Sequence, residues 1–313
     1  MALKDDVLKI FSPDLRRLLG KIPLEFDKLL EIRLRVNGPL IVIEDNEEYM
    51  ISIDGGICTC IDEAYIVTAR DIKETMALVS DYSVYAYEDD IRQGFITIKG
   101  GHRVGIAGKI VLEGAVIRTI QYISFMNIRL AHQIKGCADK VMPYIFEKGR
   151  ICHTLIVSPP CCGKTTLLRD MIRQVSEREK GMSIGVVDER SEIAACYLGV
   201  PQNDLGIRAD VLDGCPKAKG MLMLLRSMSP QLIAVDEIAS REDMEAIEYV
   251  IHCGCKLLAT VHGNSVDDLM QKPVLGKLVK ARIFERYIVL SNREEIGHIE
   301  AVYNAFGSNL FFN

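Results

Sequence analysis

The run Thr154-Leu-Ile-Val-Ser-Pro-Pro-Cys-Cys-Gly-Lys-Thr-Thr166 constrains the fold of this chain more than any other stretch: a short apolar strand enters a turn that ends in Gly-Lys-Thr and opens a helix. Backbone N–H groups of such a turn, and of the first helical turn after it, converge on one point where the helix dipole also favours negative charge. The expected occupant is a nucleotide phosphate. Lys164 is spaced to reach the β- and γ-phosphates, the Thr165 hydroxyl to ligate Mg²⁺, and Gly163 to admit the phosphate close to the backbone, since no Cβ intervenes. Ser158, Pro159, Pro160, Cys161, Cys162, Gly163, Lys164, Thr165 and Thr166 form the expected ATP-binding set. The full pattern has glycine where Ser158 stands, and a serine fits there only with a negative φ. In the following segment Leu167, Leu168, Met171, Ile172 and Val175 recur at helical spacing, with Arg169, Asp170 and Arg173 expected on the opposite side.

From about residue 152 onward, apolar runs alternate with helical patterns. Thr154–Val157, Ile184–Val187, Leu232–Val235, Leu257–Val261 and Tyr287–Leu290 read as strands of a parallel sheet covered on both faces. Ser240 caps an expected helix over Arg241–His252, with Asp243 placed for the reciprocal contact. The first part of the chain differs. Pro13 follows Ser12 at a helix start, and Asn37-Gly38-Pro39 turns the chain into strand-like runs at Leu40–Glu44 and Tyr49–Asp54. Helices are expected from Thr68 or Ala69 to Ser80 and over Val84–Arg92. Phe95–Ile98, Arg103–Ile106 and Lys109–Leu112 then alternate like strands, punctuated by glycines. The expected organisation is an α+β domain over 1–135 and an α/β nucleotide-binding domain over 136–313, joined near Ile134–Asp139.

A phosphate loop becomes an ATPase only with a metal-binding acid and a group that positions water. Leu232-Ile-Ala-Val-Asp-Glu237 supplies both at a strand end: Asp236 to hold Mg²⁺ and Glu237 to act as general base. Asp188, Glu189 and Glu192 follow another strand, on the edge where open α/β sheets bind ligands, and are further candidates for water activation or metal support. A solvated turn with Glu192 paired to Arg190 is the alternative for that cluster. His262, in Thr260-Val-His262-Gly-Asn264, could sense the γ-phosphate by hydrogen bonding or serve as a structural side chain.

Composition excludes several classes. In 313 residues, 49% hydrophobic and 26% charged, no apolar run approaches the roughly 18 residues that cross a bilayer. Met1-Ala-Leu-Lys-Asp-Asp carries acids where a signal peptide carries a basic head. The ten cysteines form no framework and no zinc-ligand spacing, consistent with reduced thiols. A formal net charge of −5 gives no support to a nucleic-acid partner.

These residues, in this order, resemble the secretion ATPase superfamily that drives type II and type IV secretion and pilus machines, whose members have RecA-like P-loop cores. The phosphate loop, acidic box, Asp/Glu strand end and histidine box of that group fall on Ser158–Thr165, Asp188–Glu192, Asp236–Glu237 and Thr260–Asn264. The closer resemblance is to the sporulation branch, the stage III sporulation protein AA family. It is carried by Glu31–Arg35, Ser83–Glu88, Gly100-Gly-His-Arg-Val-Gly-Ile-Ala-Gly108, Asn127–Arg129, Val211–Pro216 and Leu225–Pro230. Ser158 and Cys161 depart from that pattern, which has glycines there.

The resemblance implies a cytoplasmic, Mg²⁺-dependent ATPase. It would assemble with itself as a hexameric ring at the base of a membrane channel complex, in the mother cell of a sporulating bacterium. It further implies that ATP sits between the small domain and the core, with Arg103 and Arg129 reaching the phosphates to stabilise developing charge. Two alternatives stay open at this point: a nucleotide-dependent nucleic-acid-binding protein or translocase, and an ATP-binding scaffold with little turnover.

Overall fold

Apolar and polar residues alternate along Leu29–Arg35 (β1), which buries Ile32 and Leu34 on one face and leaves Glu31, Arg33 and Arg35 half-buried on the other. This strand is the centre of the first of two units, Met1–His132 and Gln133–Asn313, into which the chain divides in the computed structural model. Residues 2–23, 25–45, 47–83, 87–291 and 297–311 are described.

The first unit is an antiparallel seven-stranded sheet. After β1 come β2 (Ile41–Glu44), β3 (Glu47–Ile51), β4 (Ile57–Cys58), β5 (Phe95–Thr97), β6 (Arg103–Glu113) and β7 (Val116–Arg129), ordered β4-β3-β2-β1-β7-β6-β5. Its helices are α1 (Ala2–Leu8), α2 (Pro13–Lys21), α3 (Ala69–Val79) and α4 (Glu88–Gln93). Ser12 caps α2, and its hydroxyl also donates to Asp71 of α3 at 2.8 Å. Thr68 and Asp71 form a reciprocal box at the start of α3, so one buried carboxylate organises two helix starts.

Two sequence expectations change here. Arg103–Ile106 and Lys109–Leu112 are one strand, because Gly108 makes a bulge against β7 rather than a break. A Cβ at Gly108 would lie 2.6 Å from the Gln121 carbonyl oxygen, so only glycine lets the strands close there. The helix expected over Val84–Arg92 is α4, ended by Gly94 at φ 86°. Residues 84–86, including part of the Ser83–Glu88 motif, lie outside the described residues.

The second unit opens with a short hairpin, β8 (Phe146–Glu147) and β9 (Arg150–Ile151). The main sheet contains β10 (Thr154–Ser158), β11 (Ile184–Asp188), β12 (Ala209–Asp213), β13 (Leu232–Val235), β14 (Lys256–His262), β15 (Arg286–Ser291) and β16 (His298–Asn304). They run β12-β11-β13-β14-β10-β15-β16, parallel except for β16. The helices are α5 (Lys164–Glu177), α6 (Lys217–Ser227), α7 (Arg241–His252), α8 (Val266–Gln271) and α9 (Leu275–Lys280).

Successive strand residues enter opposite cores: Ile156, Ala234 and Leu258 pack with Leu168 and Met171 of α5, whereas Val157, Val235 and Leu257 pack with Ile247 of α7 and Leu278 of α9. Both faces are therefore dry, which is why the strands read as continuous apolar runs. Asp170 does not sit on an exposed side of α5. It is 1% exposed and accepts from the Ala138 amide at 2.9 Å and from Arg173 at 2.6 Å. No helix among the described residues is long and apolar enough to cross a membrane.

Candidate active site

The strand order decides which loops meet. Because β14 lies between β10 and β13, the C-terminal end of β14 stands between the phosphate loop and Asp236. Ser158 ends β10, buried and without a left-handed φ, and its hydroxyl donates to the Pro159 carbonyl at 2.8 Å. Pro159 is half-buried, Pro160 and Cys161 are exposed, and Cys162 is buried. Gly163 adopts φ 80° as the N-cap of the 14-residue α5. This turn aims the first amides of α5 outward, as anion binding requires.

Lys164 is buried, and its Nζ lies 2.7 Å from Glu237 Oε1. The Thr165 hydroxyl donates to Asp236 Oδ2 at 2.6 Å, while the other Asp236 oxygen accepts from Thr260 Oγ1. Glu237 has φ 56°, a left-handed conformation that costs about 1–2 kcal/mol for a residue with a Cβ. Two contacts to β14 hold it there: the Glu237 amide donates to Thr260 Oγ1 at 2.9 Å, and the Ile238 amide to the Thr260 carbonyl at 2.9 Å. The strained turn swings the carboxylate over the phosphate loop. There His262 Nε2 lies 2.9 Å from Oε1, and Arg190 Nη1 donates to Oε2 at 3.0 Å. Burial pushes the Glu237 pKa up, but the Lys164 ammonium, His262 and Arg190 outweigh it and hold it below the ordinary glutamate value.

The acidic box divides into different tasks. Asp188 is buried and accepts from the amides of Glu192 and Ala194, both at 2.8 Å, so it shapes the turn. Burial raises its pKa despite those amides. Glu189 pairs with Lys217. The Glu192 carbonyl accepts from Arg169 Nη2 at 2.7 Å. Glu189 and Glu192 line one small cleft together with Asp236 and Glu237. Arg190, the expected partner of Glu192 in a solvated turn, makes an ion pair with Glu237 at 3.0 Å. The structure also brings Thr260, Arg190 and Lys217 to these carboxylates: Thr260 to Asp236 and the Glu237 amide, Arg190 to Glu237, and Lys217, which no sequence pattern marked, to Glu189. Thr260 shares a strand face with His262 two residues on, which was the available signal.

Arg103 and Arg129 belong to the first unit, where they face one another across β6 and β7. The Arg103 guanidinium lies over the Phe95 ring, 4.0 Å from its centroid.

The donor set fits a metal–nucleotide complex. A helix N-terminus and a buried ammonium suit phosphate oxygens, and a hydroxyl beside a carboxylate suits a small hard cation. A cavity of about 310 Å³ adjoins this turn, lined by Gly163, Thr166 and Leu167 and by Ile134, Cys137 and Phe311.

Among solved structures, the Legionella pneumophila ATPase DotB superposes with a TM-score of 0.55 at 15% identity, covering 84% of this chain and 72% of that one. The pilus retraction motor PilT, solved with bound ADP, gives a TM-score of 0.55 at 18% identity over 83% of this chain and 74% of that one. At such identities the likeness is one of fold: a RecA-like P-loop core preceded by a smaller α+β unit. Sequence reaches further. Stage III sporulation protein AA of Bacillus subtilis (strain 168) is 37% identical over 310 residues, 98% of this chain and 97% of that protein. The family model described as sporulation stage III, protein AA matches residues 1–310. That match runs across both units, and the chain belongs to the sporulation stage III protein AA family.

Proposed function

We infer that this chain is a Mg²⁺-dependent ATPase that works as a ring and energises a secretion-like channel complex during endospore formation. The observation that carries the reading is the convergence of Lys164 and His262 on one carboxylate oxygen of Glu237, beside the Thr165–Asp236 pair.

In this reading Lys164 exchanges its ion pair with Glu237 for β- and γ-phosphate oxygens, which frees the carboxylate to face the attacking water. Glu237 orients that water and accepts a proton as the new P–O bond forms and the bond to the β-phosphate oxygen breaks, giving ADP and phosphate. Arg190 and His262 hold the Glu237 carboxylate in line. Mg²⁺, held through Thr165 and Asp236, supplies charge neutralisation on the phosphates. The cavity beside Phe311 and Cys137 takes the nucleoside. Arg103 and Arg129 supply guanidinium charge at the phosphates from the N-terminal unit of the same or a neighbouring copy. The family membership supports action on the mother-cell face of a membrane complex with membrane-protein partners.

The test is the ATPase rate against protein concentration, with assembly size measured on the same samples, for the parent, Lys164→Ala and Glu237→Gln. The rate per chain is expected to rise with assembly and to fall roughly 10²–10⁴-fold in Glu237→Gln with nucleotide binding retained. Parental rates in both variants would sink the assignment. Assembly on ATP with no turnover above Glu237→Gln would identify a nucleotide-gated scaffold instead, a reading that the Lys164–Glu237 ion pair also suits.

A further inference from the structure

At the edge of the second sheet opposite Lys164 lies a cavity of about 680 Å³. It is lined by residues at the starts of β13 and β14, the β9 arm and the ends of α6 and α7, and shares no residue with the hydrolytic cluster. Its apolar lining includes Met182, Leu225 and Pro230, with Tyr249, 49% exposed, as a further wall. Its charged lining is entirely cationic: Arg150, Arg226 and Lys256, with no Asp or Glu among the lining residues.

Lys256 has a counter-ion, since its Nζ lies 2.9 Å from Glu285 Oε2. The exposed side chains of Arg150 and Arg226 have no hydrogen-bond or ion-pair partner among the described residues. One such arginine is ordinary, and Arg226 in the last turn of α6 is favoured there by the helix dipole. Two in one concave apolar surface, on a chain whose net charge is −5, form a local field opposite in sign to the whole molecule. Lysines at such a place would give diffuse attraction; guanidinium groups give planar, bidentate recognition of carboxylates.

We propose that this groove docks an acidic segment of a partner protein, with carboxylates on Arg150 and Arg226 and aliphatic side chains between them on Leu225 and Met182. The proposal is independent of the ATPase reading. Because the groove and the phosphate loop are at opposite strand ends, peptide and nucleotide occupy the chain together.

The chain contains no tryptophan, so the fluorescence of a Trp-tagged peptide of alternating Glu and Leu reports binding without protein background. Saturable, salt-sensitive binding to the full chain is expected, at least about ten-fold weaker in Arg150→Ser/Arg226→Ser. Both sites are exposed, so that variant keeps the parental melting temperature. The Arg150→Lys/Arg226→Lys variant recovers part of the affinity. Cys253, an exposed thiol lining the groove, should alkylate more slowly with the peptide present, while exposed Cys161 should not. Equal binding of a Lys–Leu peptide, or parental affinity in the Ser variant, would overturn the proposal. So would capture of a single-stranded oligonucleotide or of inorganic polyphosphate by the two arginines without binding of the Glu–Leu peptide.

Discussion

Cys161 holds φ 60° in the turn of the phosphate loop, at a position where the family pattern has glycine. A left-handed residue with a Cβ costs about 1–2 kcal/mol, and glycine gives back about 0.5–1 of that through its larger unfolded-state entropy. Cys161→Gly is therefore expected to stabilise the chain by about 0.5–1 kcal/mol, read as a higher urea midpoint at unchanged slope. A lower midpoint would mean that the thiol makes a contact worth more than the strain. Asp170 is the opposite kind of residue, hidden from pattern reading because its helical position looked solvent-facing. Burial raises its pKa, but the Ala138 amide, Arg173 and Gln174 more than compensate and leave it lowered. Its stabilisation is thus complete above the unfolded value of about 4 and disappears as pH falls through the lower folded value. Asp170→Ala should cost about 3 kcal/mol at neutral pH, since it strands Arg173 without its buried partner. That penalty should stay constant down to about pH 5 and shrink as pH is lowered through about 4 and below. A pH-independent difference would assign the loss to packing.

Helix α7 shows what makes an element legible. Its expected bounds, Arg241–His252, coincide with the observed ones because both ends carry local chemistry: the Asp243 amide donates to Ser240 Oγ at 3.0 Å and the Ser240 amide to Asp243 Oδ2 at 3.0 Å at the start, and Gly254 follows the end at φ 80°. Ser240→Ala should destabilise the second unit by about 1 kcal/mol and Ser240→Gly by only a few tenths, measured by thermal unfolding. Equal losses would assign the effect to something other than the cap oxygen. Strands β7, β12 and β16 were not legible. β12 is a half-exposed edge strand with acids at alternate places, Ala-Asp-Val-Leu-Asp, so neither a continuous apolar run nor clean alternation marks it. β7 is exposed along much of its length beyond β1 and pairs there with β6, so its register comes from a partner strand rather than from a buried face.

For the molecule as a whole, a ligand that binds only the folded second unit adds stability by mass action, about 2.7 kcal/mol at a hundred-fold excess over its Kd. ADP with Mg²⁺ is expected to slow amide exchange across β10, α5, β13 and β14 of the full chain in proportion, and to do nothing in Lys164→Ala. Equal protection in that variant would locate the nucleotide elsewhere. The phosphate loop, the acidic strand end at Asp236–Glu237 and the covered parallel sheet were determined by sequence alone, because each is local: a turn, a cap or a run of apolar residues states its own conformation. The assignment of partners was decided only in three dimensions. Nothing in residue order says that β14 inserts between β10 and β13, yet that insertion makes Thr260 the clamp on Asp236 and Glu237. It also puts His262 beside Lys164, and the turn after β11 brings Arg190 to Glu237. Charge–charge contacts between residues far apart in the chain, such as Lys164 and Glu237, depend on strand order, and strand order is set by how all the helices share two faces of one sheet.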